Sequence, residues 1–184
     1  QLFGIQRTLI GSVENAFVIS TDNPALLATW TAAKALTTDA KVQFSPRIAE
    51  PTFEAGEMRA YGTGNAVPGG IPINLGRNQS PFTAAFLNVA QQVITVLKGY
   101  ECETGLSVYL IDENKRIWGL VDDQTTPTIF KGIPIESFFV SDKVVGGLDV
   151  ADKNMASWSF MANWSDKLYA ITPTDFNPIT QLNS

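Results

Sequence analysis

The sequence predicts an α+β fold: a mostly antiparallel β barrel or sandwich with one long flanking amphipathic helix and one short N-terminal helix. Three observations lead to this fold class. The chain has 184 residues, which suits a single domain over residues 1–184. Glycine, proline, asparagine and aspartate divide its C-terminal half into short apolar runs, as in antiparallel sheets. Two stretches carry apolar residues at helical spacing.

The N-terminal third predicts one short strand, one short helix and two edge strands. Residues Asn15–Ser20 have a strand-like composition. The helix is expected over Pro24–Leu36, because the segment TDNP combines a capping residue with an early proline. Extended segments follow at Lys41–Glu50 and Thr52–Tyr61, where prolines are typical of edge strands or strand ends.

A long loop rich in glycine and proline is predicted over Gly62–Gly76, with room for a short strand at Ile71–Leu75. Loops longer than about 12–15 residues are usually functional or mobile. Ordering such a loop costs roughly 1–2 kcal/mol of backbone entropy per residue. We therefore expect it to lie at a contact between subunits. The candidate contact residues are Gly62, Gly64, Pro68, Gly69 and Gly70.

The long amphipathic helix is predicted over Ser80–Lys98. Serine followed by proline is a favourable helix start, and Gly99 supplies a stop. The apolar residues between them recur three or four positions apart. They are Phe82, Phe86, Val89, Val93 and Leu97. The pattern indicates a helix whose apolar face, including Phe86, Val89 and Val93, packs against a sheet.

The C-terminal half predicts a series of β-strands. The first two flank a DENK turn and form a hairpin. The chain bends at Gly146-Gly147 between later strands. The predicted strands are Leu106–Ile111, Arg116–Val121, Thr128–Lys131, Ile133–Ser141, Ala156–Phe160 and Leu168–Thr172.

The last residues, Pro173–Ser184, predict an extended C-terminal arm. Its apolar side chains would be left in water if the arm were free. We expect the arm to lie at a subunit contact, and the alternative is that it folds back on its own domain. The candidate contact residues are Pro173, Phe176, Ile179 and Leu182.

Composition argues against most enzymatic classes. The chain has no histidine and one cysteine, Cys102, which excludes Ser-His-Asp triads, Cys-His dyads and His-ligated zinc. Its net charge is −5 and it has no basic stripe, so we expect no direct binding to nucleic acid. No run of about 20 apolar residues predicts a membrane span. We expect no catalytic residue, cofactor or metal.

Three weaker signals remain. Acidic pairs at positions 101/103, 112/113 and 122/123 lie at predicted turns or strand ends, where solvated carboxylates are routine. The glycines of the long loop match no phosphate-binding motif. The C-terminal aromatic residues suit either a core strand or a stacking platform for sugars. These are Trp158, Trp164, Tyr169 and Phe176.

The C-terminal third contains a series of short segments: FFVSDK at 138–143, GG at 146–147, WSF at 158–160, NWSD at 163–166 and PTDFNP at 173–178. Together they resemble segments of uncharacterised bacteriophage structural proteins, including those of phages that infect Bacteroidetes. The resemblance covers roughly Ile133–Pro178. The overall plan is similar to a phage tail tube subunit, with a β-barrel or sandwich, a flanking helix and a protruding loop. The early helix at Pro24–Leu36 departs from that plan, so a capsid-decorating or neck protein stays equally open.

The resemblance implies a non-enzymatic virion subunit that forms rings or lattices with copies of itself and contacts other virion proteins. In such proteins, loops and terminal arms reach into adjacent rings. Gly62–Gly76 would then be an inter-subunit loop. One alternative is a monomeric β-sandwich module that binds carbohydrate through an exposed Trp158 or Trp164. Another is a histidine-free glycosidase or an assembly chaperone.

Overall fold

The computed structural model describes residues 1–10, 13–62 and 66–183. Three short helices lie in these ranges: α1 (Leu27–Ala35), α2 (Gln91–Lys98) and α3 (Pro178–Gln181). The strands of the same ranges are β1 (Leu2–Arg7), β2 (Leu9–Ile10), β3 (Val13–Glu14), β4 (Phe17–Val18), β5 (Gln43–Phe44), β6 (Ala49–Phe53), β7 (Met58–Tyr61), β8 (Ile73–Arg77), β9 (Ser80–Leu87), β10 (Leu106–Ile111), β11 (Ile117–Val121), β12 (Ile129–Lys131), β13 (Ile133–Val140), β14 (Lys153–Phe160) and β15 (Leu168–Ile171).

One antiparallel sheet organises the fold. Its main path runs β4-β12-β11-β10-β13-β14-β9-β6, with β1 beside β10, β5 beside β1 and β15 beside β11. The mostly antiparallel β fold with few helices is confirmed, and it is consistent with a sandwich. The barrel alternative is wrong for the described strands, because the path begins at β4 and stops at β6 without closing.

Strands β1 and β10 lie between two apolar cores. They pair along their full length, from Leu2 opposite Ile111 to Arg7 opposite Leu106. Because successive side chains of a strand point to opposite faces, Phe3 packs into one core and Leu2 into the other. The first core lies beneath β9, β13, β14 and α2, and the second beneath α1 and the C-terminal segment.

The predicted helix over Ser80–Lys98 is wrong in its first half. Residues Ser80–Leu87 form β9, which pairs with β14 at all eight positions, and the helix begins only at Gln91. A spacing of four between Phe82 and Phe86 fits one face of a helix and equally one face of a strand. Phe86 is fully buried against the sheet as expected, but it lies in a strand, whereas Val89 and Val93 are half-buried.

The N-terminal third contains the predicted elements in shorter form, and it begins with three strands that were not predicted, β1, β2 and β3. Helix α1 begins at Leu27, three residues after Pro24, and buries Trp30 and Ala33. The strand predicted over Asn15–Ser20 is reduced to β4. The two extended segments become β5, β6 and β7.

The strands of the C-terminal half agree with the prediction to within three residues at each end. Strands β10 and β11 form the expected hairpin, in which Lys115 N donates to Asp112 O across the turn. Lys115 adopts a φ of 65°, the left-handed conformation that such a tight turn requires.

Over residues 173–183, the segment predicted as an extended arm is not extended and packs on its own domain, which corrects the prediction for Pro173–Ser184 in favour of the alternative. It contains α3, and Leu182 is only 1% exposed in the second core, where Phe176 and Ile179 also pack. Asp175 Oδ1 accepts a hydrogen bond from Leu27 N at 3.0 Å, so the segment caps α1 from a distant part of the chain. Ser184 lies outside the described residues.

Candidate assembly surface

A two-stranded hairpin, β7 with β8, projects from the sheet. Every residue of both strands is exposed, and among the described strands the two pair only with each other. This hairpin arm (residues 58–77, of which the structure describes 58–62 and 66–77) contains the whole segment predicted as a loop, Gly62–Gly76. The short strand expected at Ile71–Leu75 is present as Ile73–Arg77.

The base of the hairpin arm is closed tightly. Asn78 N donates to Glu57 O at 2.8 Å, which joins the two ends of the arm. A side chain at Gly56 would place its Cβ 2.4 Å from Asn78 O, so the close approach requires glycine there. The arm therefore leaves and re-enters the domain at one point.

One face of the arm is apolar. Tyr61 lies directly opposite Ile73, and Leu75 follows two residues later, so the three side chains share a face. They are 59%, 49% and 56% exposed, respectively. A register shift between Met58 and Ala60, together with a φ of 110° at Gly76, marks a β-bulge that bends the arm.

The tip of the arm holds the predicted loop residues. Pro68, Gly69 and Gly70 form a single 3-10 turn, and both glycines have positive φ values. Gly62 also has a positive φ and lies against the buried side chain of Val67. Gly64 lies outside the described residues.

The hairpin arm is basic within an acidic chain. Residues 58–77 contain Arg59 and Arg77 and no acidic residue, whereas the whole chain has a net charge of −5. The ion pairs of the described residues involve neither arginine. The arm therefore presents an apolar face together with positive charge.

A second exposed apolar surface is the loop between β13 and β14, residues 144–150. Val144, Val145, Leu148 and Val150 are all more than half exposed, and Leu148 is fully so. Sequence reasoning identified only the glycine bend here. The available signal was the concentration of valine and leucine around Gly146-Gly147 without a polar alternation.

The predicted C-terminal contact residues lie elsewhere. Phe176, Ile179 and Leu182 join the second core and do not form a surface with the loop glycines, and Pro173 is half-buried. Their apolar side chains are thus covered by their own domain, as in the alternative considered for this segment.

The acidic pairs have structural hydrogen bonds. Asp112 accepts from Arg116 N, Arg116 Nε and Trp118 Nε1 at 2.9–3.0 Å. Partial burial opposes ionisation, but these donors together hold the pKa of Asp112 below its usual range. Asp122 accepts from the side chain of Thr128 and from two backbone amides, which lower its pKa strongly.

The aromatic residues divide between the core and a groove. Trp158 is 2% exposed and stacks on Phe82, so it cannot serve as an exposed sugar platform. Trp164 is half-buried and stacks on Phe160 at 4.5 Å between ring centroids. It borders a groove of about 270 Å³ whose lining is almost wholly apolar apart from Gln1 and Asp112.

The described residues contain neither a metal-binding group of side chains nor a membrane-spanning helix. Within them, no group of three or more histidine, cysteine, aspartate or glutamate residues is placed to hold a metal ion. None of the helices in the same ranges is long and apolar enough to cross a bilayer.

Comparison of the sequence with known proteins finds no match: no family model matches it, and no curated protein does either.

Proposed function

We propose that the chain is a non-enzymatic structural subunit that assembles with copies of itself through the hairpin arm. The proposed setting is a bacteriophage particle, as a tail tube subunit or another tail or head component. The observation that carries the proposal is the exposed apolar face of the arm, formed by Tyr61, Ile73 and Leu75.

Isolated two-stranded hairpins are marginally stable in water. This arm also leaves three large apolar side chains in solvent, each worth about 1.5–3 kcal/mol when fully buried. Docking on a neighbouring molecule would bury those side chains and supply the packing surface that the hairpin lacks. An arm that projects from a rigid antiparallel sheet suits such a contact better than it suits catalysis.

The virion setting rests on the resemblance in residues 133–178 and on the architecture. An antiparallel β fold, a short helix packed beside it (α2) and a protruding hairpin are the parts of the tail tube plan. The acidic net charge agrees with a subunit that does not trap nucleic acid. Other virion proteins are the further proposed partners.

Removing the arm tests the proposal directly. Glu57 O and Asn78 N lie 2.8 Å apart, so an Asn-Gly turn that replaces residues 58–77 closes the gap with little strain. We expect the intact chain to form oligomers in sedimentation velocity as its concentration rises, and the armless chain to remain a monomer with an unchanged thermal midpoint.

A matched control is Val13→Ser, which removes an exposed apolar side chain that lies outside the arm. This variant should assemble like the wild type. If the intact chain sediments as a monomer at every concentration, or if the armless chain assembles normally, the proposed function is wrong.

The aromatic groove favours a second candidate, a monomeric carbohydrate-binding module. Of the two tryptophans predicted for this role, Trp164 lines the groove, beside Trp118, whereas Trp158 is buried. The groove offers a sugar few hydrogen-bonding groups, because both oxygens of Asp112 already accept bonds from Arg116 and Trp118. Saturable fluorescence quenching by oligosaccharides, lost in Trp164→Ala, would support this candidate in a chain that stays monomeric.

A further inference from the structure

The hairpin arm and the exposed loop 144–150 lie at opposite ends of the same strand pair. Strands β9 and β14 pair from Ser80 opposite Phe160 to Leu87 opposite Lys153. The arm joins β9 two residues before Ser80, whereas the loop enters β14 at Lys153, which also bridges Val144. Eight paired residues separate the two surfaces by roughly 23 Å at about 3.3 Å per residue.

The loop is held in a defined shape. Val144 and Lys153 exchange two backbone hydrogen bonds at 2.8 and 3.0 Å, and Gly146 N donates to Asp152 Oδ1 at 2.9 Å. A Cβ at Gly146 would lie 1.8 Å from Val150 O, so the turn is compact. The loop therefore holds its apolar side chains outward before any partner arrives, which lowers the entropic cost of binding.

The charges of the two surfaces are opposite. The arm carries Arg59 and Arg77 without an acidic residue, whereas the loop 144–150 carries Asp149 without a basic one. Asp152 pairs with Lys143 at 3.5 Å, and the ion pairs of the described residues leave Asp149 out. Complementary charge of this kind steers association and selects the partner.

We propose that the loop 144–150 is the acceptor for the hairpin arm of a second copy of this chain. The contact is heterologous: the arm of one subunit docks on the loop at the far end of the next. Each docked pair leaves one arm and one loop free, so the contact continues into a closed ring or an open filament. This inference rests on the proposed self-assembly and identifies its second surface.

Two variants separate the surfaces. The arm variant is Tyr61→Ser with Ile73→Ser, and the loop variant is Val145→Ser with Leu148→Ser. All four side chains are at least 49% exposed, so we expect both variants to keep the wild-type thermal midpoint. Each variant alone should sediment as a monomer under conditions where the wild type forms oligomers.

An equal mixture of the two variants is the decisive measurement. The loop variant keeps an intact arm and the arm variant keeps an intact loop, so one functional contact remains between unlike copies. We expect a dimer of twice the 20.0 kDa chain mass and no larger species. An arm-to-arm contact would instead leave the loop variant fully able to assemble, and that result overturns the proposal.

Charge reversal provides an independent test. Asp149→Lys should weaken assembly of the wild type roughly two- to five-fold, in proportion to an exposed ion pair, and added salt should reduce that difference. The same change should strengthen assembly when the arm carries Arg59→Glu and Arg77→Glu. If Asp149→Lys weakens both backgrounds equally, the loop is not the acceptor of the arm.

The outcomes distinguish this inference from the proposed function. If both the wild type and the loop variant assemble, the proposed function stands, but the loop 144–150 is not the acceptor of the arm. A wild type that remains a monomer at every concentration overturns both. If the wild type assembles, each variant alone remains a monomer and the mixture of the two variants forms a dimer, the head-to-tail contact is established.

Discussion

Truncating Leu182 tests whether the C-terminal segment belongs to its own domain or reaches a neighbour. The side chain is 1% exposed and packs in the second core, close to the end of the chain. Leu182→Ala removes this anchor while leaving the backbone bond from Leu182 N to Pro178 O at 3.1 Å.

The expected loss of stability follows from that burial. Buried Leu→Ala substitutions cost about 2–5 kcal/mol, and the cost is lower where the surroundings can collapse into the cavity. Phe176 and Ile179 in the same core are only half-buried and can move toward the cavity, so we expect about 2–3 kcal/mol. Urea unfolding of the armless chain, followed by near-UV circular dichroism, measures the loss without interference from assembly.

The adjacent residue provides the control. Asn183 is exposed, so Asn183→Ala should change the free energy of unfolding by less than about 0.5 kcal/mol. A loss below about 1 kcal/mol for Leu182→Ala would show that the segment is not docked on its own domain in solution. That result would restore the expectation of an inter-subunit arm.

Three further predictions concern the sheet and its turns. Phe86→Ala should cost about 3–5 kcal/mol in urea unfolding, because the ring is fully buried in the first core. Gly119→Ala should cost about 1–3 kcal/mol, since its Cβ would lie 2.6 Å from Lys131 O; Gly147→Ala meets nothing within 4 Å and is the neutral control. Asp112 has a lowered folded pKa, so its carboxylate stabilises the fold above its unfolded pKa of about 3.9, and that stability is lost as the pH falls through the folded value. Stability measured between about pH 5 and 2 should therefore fall less steeply in Asp112→Asn than in the wild type.

The C-terminal strands were predictable because local signals agree there. Strand β14 alternates buried and half-buried residues along its whole length, and the β10–β11 turn carries a DENK sequence between apolar runs. Where side-chain alternation and turn chemistry point to the same structure, little tertiary information is needed.

Strand β9 shows the opposite case. Its serine-proline start and its Phe82–Phe86 spacing are favourable for a helix, and both are compatible with a strand. Pairing with β14, about 70 positions later in the chain, decides between them. No local pattern contains that partner, so tertiary context overrides the helical signal.

The loop predicted over Gly62–Gly76 lies in the hairpin arm, but its strand pairing was not predicted. The Gly-rich composition of residues 62–76 correctly marked an exposed segment, yet the strand at Ile73–Arg77 exists only because Met58–Tyr61 pairs with it. The loop 144–150 was missed because exposure of its valines depends on the hydrogen bonds that fix the turn. Pattern reasoning assigns apolar residues to a core by default.

The pairing of β1 with β10 has a consequence for folding during synthesis. Strand β1 carries apolar residues toward both cores, but its partner is made about 100 positions later. At ribosomal rates of about 5–20 residues per second, β1 waits roughly 5–20 seconds for β10. Throughout that interval the apolar side chains of β1 lack their partner strand and are exposed to other nascent chains, a state that favours aggregation.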